Sequence, residues 1–142
     1  MREEERKAIE ELVEVVRALR SKCPWDSVQT MESLKERLAC ETAEVLEAID
    51  RTEEDHGENL CEELGDVLML LLLYGEIAEE QGLFTLEDVF RQNAWKMKFR
   101  HPKIFPPEDA ELVNLSWEEL KVREKELRNK CRKERNEFRR NP

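Results

Sequence analysis

Glycine and proline are scarce in this chain, four and five among 142 residues, and tyrosine occurs once. A many-turned sheet protein needs more of all three, so long helices are the default expectation. Cysteine and histidine are sparse as well: Cys23, Cys40, Cys61 and Cys131 lie 17, 21 and 70 residues apart, and there are two histidines. No paired-cysteine motif or Cys/His cluster results, which excludes a zinc ribbon or a thioredoxin-like centre. Long apolar runs are missing too. The longest, Val67 to Tyr74, has eight residues, against the roughly 18 or more of a membrane helix. The opening residues Met1 to Glu10 hold no apolar stretch, so no secretory signal is expected. Four free thiols in a reducing cytoplasm, away from any membrane, follow as the expectation.

What the chain has instead is charge. Charged residues make up 41% and hydrophobic residues 39%, with a formal net charge of −10. That leaves enough apolar material for one domain with an ordinary core, and a single domain spanning residues 1–142 is expected. The charge is divided unevenly. Residues 1–90 hold nine Lys and Arg against 25 Asp and Glu, a net of −16, whereas residues 91–142 hold 15 against nine, a net of +6. A cation-binding half beside an anion-binding half would look like this, and so would a merely solvated surface.

Periodicity divides the chain into helices. Ile9, Leu12, Val13, Val16 and Leu19 recur at spacings of three and four, which predicts a helix from Glu3 to about Arg20. Lys22 to Asp26 interrupts it. Asp26 or Ser27 can cap a second helix from Val28 to about Arg51, striped by Met31, Leu34, Leu38, Val45 and Ile49, with a turn at His56-Gly57. A third runs from Glu58 to Gln81 and is closed by Gly82. Thr85 to Asp88 reads as a capping box for a fourth helix to about Phe99. The prolines after His101 break it, His101 itself being read as a helix terminator that bonds backbone. Ser116 to Glu119 is a second capping box, opening a charged helix with Trp117, Leu120, Leu127 and Cys131 on one side and a basic tail, residues 128–142, whose last residues are expected to fray. The expected architecture is all-α: an antiparallel four-helix-bundle-like core with an additional C-terminal helix.

Pairs of Glu three residues apart are too common here to inform by themselves; position relative to the core discriminates. At 100° per residue Glu41 falls within roughly 60° of the centre of the second helix's apolar arc, with Glu44 near its border. The third helix is apolar nearly all round after residue 66 and reads as a buried central helix. Glu62, Glu63 and Asp66 share the face of Leu70, Leu73 and Ile77. Carboxylates entering a core side by side repel one another and need a cation. Arg or Lys from another helix would make a structural ion-pair cluster; a divalent metal would make a binding site. Converging carboxylates without His or Cys form a hard oxygen site suited to Mg²⁺ or Mn²⁺, and the lack of a Glu-x-x-His pair argues against a di-iron bundle.

These residues resemble the MazG-type nucleoside triphosphate pyrophosphohydrolases of the all-α NTP pyrophosphatase superfamily. The resemblance covers about residues 16–127, in family order: Leu19-Arg20, Cys23-Pro24-Trp25-Asp26, Gln29-Thr30, Ser33-Leu34, Glu41 with Glu44, Glu62-Glu63-Leu64-Gly65-Asp66, Phe84 to Val89, Lys96, Arg100-His101-Pro102, Phe105, Trp117, Lys121 and Glu124-Lys125. It implies Mg²⁺-dependent hydrolysis of a nucleoside triphosphate at the α–β phosphoanhydride, to monophosphate and pyrophosphate, in removing non-standard or excess nucleotides. Carried over by position, Glu41, Glu44, Glu63 and Asp66 are metal ligands and Glu62 is a water-activating or outer-sphere residue. Lys96, Arg100, Trp117 and Lys121 hold phosphate and nucleotide. Trp25 is either a base-stacking platform or a core or lid anchor, and the same alternatives apply to Trp117.

The resemblance further implies at least a homodimer, with a nucleoside triphosphate and not a nucleic acid polymer as partner. The family pattern is departed from at Ser27, Met31, Cys40, Phe99 and Lys103. Cys40 and Cys61 are expected as buried thiols, and Lys98 and Lys103 as solvated. Related readings are a pyrophosphohydrolase of dUTP, dCTP or a phosphoribosyl nucleotide, a catalytically weak nucleotide-binding regulatory domain, and a purely structural acidic bundle.

Overall fold

The computed structural model describes residues 1–140, with side chains through Lys130. The described residues are helical, in the order α1 (Glu3–Lys22), a 3-10 turn (Asp26–Val28), α2 (Lys35–Asp50), α3 (Thr52–Asp55), α4 (Glu58–Glu80), α5 (Leu86–Arg100), a second 3-10 turn (Ala110–Asn114) and α6 (Trp117–Arg140). They form two compact units, Met1–Leu86 and the residues from Glu87 on. The all-α expectation holds.

In the first unit α4 packs against both α2 and α1. The core consists of Val16, Leu34, Leu70, Leu72, Leu73, Ile77 and Leu86, flanked by Leu12, Val13, Met31, Leu38, Met69 and Tyr74. Both ends of α4 are set by backbone chemistry that the sequence signals. His56 and Gly57 adopt the left-handed region at φ 55° and 82°. The Asp55 carboxylate accepts hydrogen bonds from the amides of Gly57 and Asn59 at 2.9 and 3.3 Å, relieving unpaired N–H groups at the helix start. At the other end Gly82 is left-handed at φ 66°. Its amide donates to Glu79 and that of Leu83 to Ala78, at 2.9 and 3.0 Å, the paired bonds of a Schellman cap.

The start of the second helix departs from expectation. The chain does not enter a helix at Val28: the Arg20 Nη1 donates to the carbonyls of Asp26 and Gln29, at 2.7 and 2.9 Å, and the Asp26 carbonyl also accepts the Gln29 amide at 3.3 Å in the 3-10 turn. The chain extends at Gln29, Thr30 and Ser33 bond reciprocally at 2.9 and 3.1 Å, and α2 starts at Lys35. The Tyr74 hydroxyl donates to the Met31 carbonyl at 3.1 Å, tying this turn to α4.

The apolar stripes are also less completely covered than periodicity suggests. Ile9, Leu19 and Ile49 are exposed, and α4 is closed in from Leu72 to Ala78 but open on one side before that: Leu64, Leu68 and Leu71 are 52%, 44% and 50% exposed. Their spacing of four and three residues puts them on one side of α4, away from the side filled by Leu70, Leu73 and Ile77.

In the second unit the Ser116 capping box forms as expected. The Ser116 amide donates to Glu119 Oε2 at 2.8 Å, and the Glu119 amide to Ser116 Oγ at 3.3 Å. The His101 Nδ1–H donates to the Met97 carbonyl at 2.6 Å, so His101 closes α5 by binding its own helix. Leu120 is buried in α6, while Trp117 and Leu127 remain partly exposed. The backbone of the basic tail is helical to Arg140. The side chain of Cys131 and residues 141–142 lie outside the described residues.

Candidate metal and nucleotide site

Glu41 and Glu44 stand one turn apart on α2, and Glu63 faces them from α4. One carboxylate oxygen from each lies within 4.8 Å of the others. Glu41 is buried, Glu63 half-buried and Glu44 exposed, which for α2 agrees with Glu41 lying inside the apolar arc and Glu44 near its border. Asp66, half-buried, and Glu62, exposed, lie outside this triplet but act on it through their charge. The expectation that Glu62 enters the core is corrected: adjacent residues on a helix point about 100° apart, and inward placement of Glu63 turns Glu62 to solvent.

The electrostatics follow from that crowding. Burial pushes the Glu63 carboxyl above the ordinary carboxylate range, and the charge and hydrogen bond of Glu44 push it further, followed by the charges of Glu62 and Asp66. Among the described residues the cation paired with the triplet is Arg37, whose Nη2 lies 3.0 Å from Glu41 Oε1. One guanidinium against three converging carboxylates leaves negative charge in excess. The donor set is oxygen throughout and fits a hard divalent cation.

Arg37 was not singled out from sequence, although its i, i+4 spacing to Glu41 carries the signal. Its guanidinium carbon also lies 5.7 Å from the ring centroid of Trp25, a cation–π contact that links the Trp25 loop to the carboxylates. Trp25 is 46% exposed, so it is not a core anchor. The loop itself hangs on Arg20. Besides its two carbonyl bonds, Arg20 grips Glu80 with Nε and Nη2 at 2.8 and 2.7 Å, a fork that joins α1, the loop and α4.

The basic candidates belong to the second unit. Lys96 is half-buried. The Lys121 Nζ lies 3.3 Å from Glu118 Oε1. Arg100 pairs with the buried Glu124 and lies over Trp117, its guanidinium carbon 5.6 Å from the ring centroid. The His101 ring meets the edge of Trp117 at 5.3 Å. Trp117 keeps 45% of its surface exposed. Lys98 and Lys103 are exposed as expected, but Cys40 and Cys61 are corrected from buried to exposed. Each precedes an acidic pair on a face that neither helix buries.

The described residues thus define an all-α protein whose α2 and α4 bring carboxylates together with no nitrogen or sulfur donor among them. Residues 29–105 match the MazG nucleotide pyrophosphohydrolase domain, and the chain belongs to that family. It is 43% identical over 118 residues to the nucleoside triphosphate pyrophosphohydrolase/pyrophosphatase MazG of Thermotoga maritima, covering 82% of this chain and 45% of that protein. The nucleoside triphosphate pyrophosphohydrolase of Escherichia coli K12 is 35% identical over 123 residues, covering 82% of this chain and 46% of its own. The YabN protein of Bacillus subtilis is 43% identical over 116 residues, 78% of this chain and 23% of its own. The chain therefore spans less than half the length of these curated relatives. The crystal structure of a MazG-related protein from Thermotoga maritima superposes with a TM-score of 0.61 at 32% identity, covering 84% of this chain and 98% of that one.

Proposed function

We propose that this protein is a nucleoside triphosphate pyrophosphohydrolase that adds water across the α–β phosphoanhydride, releasing a nucleoside monophosphate and pyrophosphate. The observation that carries the reading is the triplet Glu41, Glu44 and Glu63. Charge of this density is a poor place for a lone ion pair and a good one for Mg²⁺ or Mn²⁺, which Glu41, Glu44, Glu63 and Asp66 would hold. Bound there, the ion would screen the phosphates and lower the pKa of the attacking water.

The remaining chemistry belongs to the chain. Glu62, exposed and unneeded for packing, accepts a proton from the attacking water as the water oxygen bonds to phosphorus and the bridging P–O bond breaks. Lys96 and Arg100, one turn apart on α5, donate hydrogen bonds to the departing pyrophosphate as its charge develops. Trp117 and Lys121 bind nucleotide from α6, and Trp25 offers an exposed ring for base stacking. The family match, over residues 29–105, runs past the boundary between the two compact units, which supports a single domain.

We also propose at least a homodimer in the cytoplasm. The half-exposed row Leu64, Leu68 and Leu71 supports it, since such a stripe on the longest helix of the first unit is what a partner chain covers. Among the described residues no helix is long and apolar enough to cross a membrane. Removal of non-standard or excess nucleotides is the proposed role.

Pyrophosphate release across a panel of canonical and modified nucleoside triphosphates tests the reading, with Mg²⁺ or with chelator, in wild type and Asp66→Asn. Release that needs Mg²⁺ and disappears in Asp66→Asn is expected. Binding of triphosphate without release at high protein concentration would make this a regulatory nucleotide-binding domain instead.

A further inference from the structure

Glu124 is the most thoroughly buried charged residue described, with 0% of its surface exposed. Its two oxygens are divided between two arginines of unlike surroundings. Oε2 accepts from Nη2 of Arg100, whose side chain is 16% exposed, and Oε1 accepts from Nη1 of Arg128 at 3.1 Å, whose side chain is 53% exposed. Burial alone would raise the Glu124 carboxyl, but the hydrogen bonds and charges of the two arginines outweigh it and hold it below the ordinary range. The carboxylate is thus ionised, and Arg100 is its inner partner.

The arrangement is a poor device for stability. A buried ion pair gains little over an apolar pair of the same volume, and this one leaves the Arg100 Nε buried without a hydrogen-bond partner. A carboxylate serving Arg100 alone could take two of its N–H groups in a fork. Glu124 instead gives its second oxygen to Arg128. The cluster of two guanidiniums and one carboxylate keeps a net charge of +1, so Arg100 is fixed but not neutralised. Arg100 also lies over the Trp117 ring, and Trp117 meets His101 edge-on, His101 itself being tied to the end of α5. One carboxylate from α6 thereby orients a cation on α5 while leaving its charge available.

We infer that Glu124 is a positioning residue for triphosphate recognition: by holding Nη2 of Arg100, with the guanidinium over Trp117, it presents the Nη1 donors of Arg100 to a phosphate group. This rests on the proposed function, in which Arg100 meets a phosphate of the substrate. Glu124 touches no substrate in this role and acts through Arg100 alone.

The test is equilibrium binding of a non-hydrolysable nucleoside triphosphate analogue with Mg²⁺ to the full chain, alongside thermal unfolding. Wild type, Arg100→Ala, Glu124→Gln and the double variant are compared. Loss of the Arg100–phosphate contact is expected to weaken binding by about tenfold or more, and Glu124→Gln by about five- to tenfold. The double variant is expected to bind no more weakly than Arg100→Ala, because Glu124 has nothing left to position. Where Glu124→Gln fails to fold, Glu124→Asp carries the test: its carboxylate is retained but drawn back by one methylene, and a smaller loss, again absent on the Arg100→Ala background, is expected. Wild-type binding in a Glu124 variant that only melts earlier would overturn the inference and leave the proposed function standing. So would losses that add in the double variant. Failure of the wild type to bind any triphosphate would overturn the proposed function, and this inference with it.

Discussion

Substituting Gly75 by alanine puts the packing of the first unit to a sharp test, because two effects of known sign oppose each other. Gly75 lies inside α4, where alanine is favoured over glycine by about 1 kcal/mol on helix propensity. A Cβ at this position, however, would stand 2.2 Å from Cδ2 and 2.8 Å from Cγ of Leu86. Carbon atoms do not approach so closely, so Leu86 must leave its place. Leu86 is 7% exposed and part of the core, and driving a buried leucine out of such a place costs about 1.5–3 kcal/mol. Displacement therefore wins by about 0.5–2 kcal/mol, or a fall in Tm of roughly 2–8 °C for a chain of this size. Thermal unfolding followed by circular dichroism measures it. A second variant isolates the cause: Leu86→Ala destabilises the wild type, yet adding Gly75→Ala to it should cost nothing further, since the clashing atoms are gone. A rise in Tm for Gly75→Ala alone would refute the close approach of α4 to Leu86.

Two further outcomes follow from charge and exposure. Because the folded Glu124 carboxyl titrates below its unfolded value, near 4.3 for a free Glu, the unfolded chain binds the extra proton first as pH falls. Glu124 therefore stabilises the fold fully above that pH, and its contribution fades as pH drops through the lowered folded value. In urea melts the stability gap between wild type and Glu124→Leu should be wider at pH 7 than at pH 3.5, and a gap that is constant or wider in acid would contradict the assignment. Cys40 and Cys61 are exposed whereas Cys23 is half-buried, so the native protein should modify the first two with a thiol reagent faster than Cys23, as peptide mapping would show; equal protection of all three would mean that another chain covers them.

Much of this fold was readable because local chemistry agrees with tertiary structure at particular points. Gly57 and Gly82 bound α4 because left-handed backbone is needed at both ends, and Ser116 with Glu119 announces α6 by spacing alone. Glu41 could be placed inward because its angular position on α2 is fixed by the residues around it. What periodicity could not convey was contact between distant segments. The late start of α2 goes with such a contact: Arg20 bonds two carbonyls of the loop while it binds Glu80 60 residues away. The ion pair of Arg100 with Glu124 joins separate helices and leaves no pattern in either. The exposed row on α4 looked buried for a related reason: an apolar run reports hydrophobicity, not which of its faces other segments pack against.

The proposed function is tested most directly by the products made from one nucleoside triphosphate, followed by ³¹P NMR with Mg²⁺ or chelator in wild type and Glu63→Gln. Equimolar nucleoside monophosphate and pyrophosphate, formed only with Mg²⁺ and lost in Glu63→Gln, is the expected result. Release of orthophosphate with a nucleoside diphosphate, or pyrophosphate release that persists with chelator and in Glu63→Gln, would contradict it.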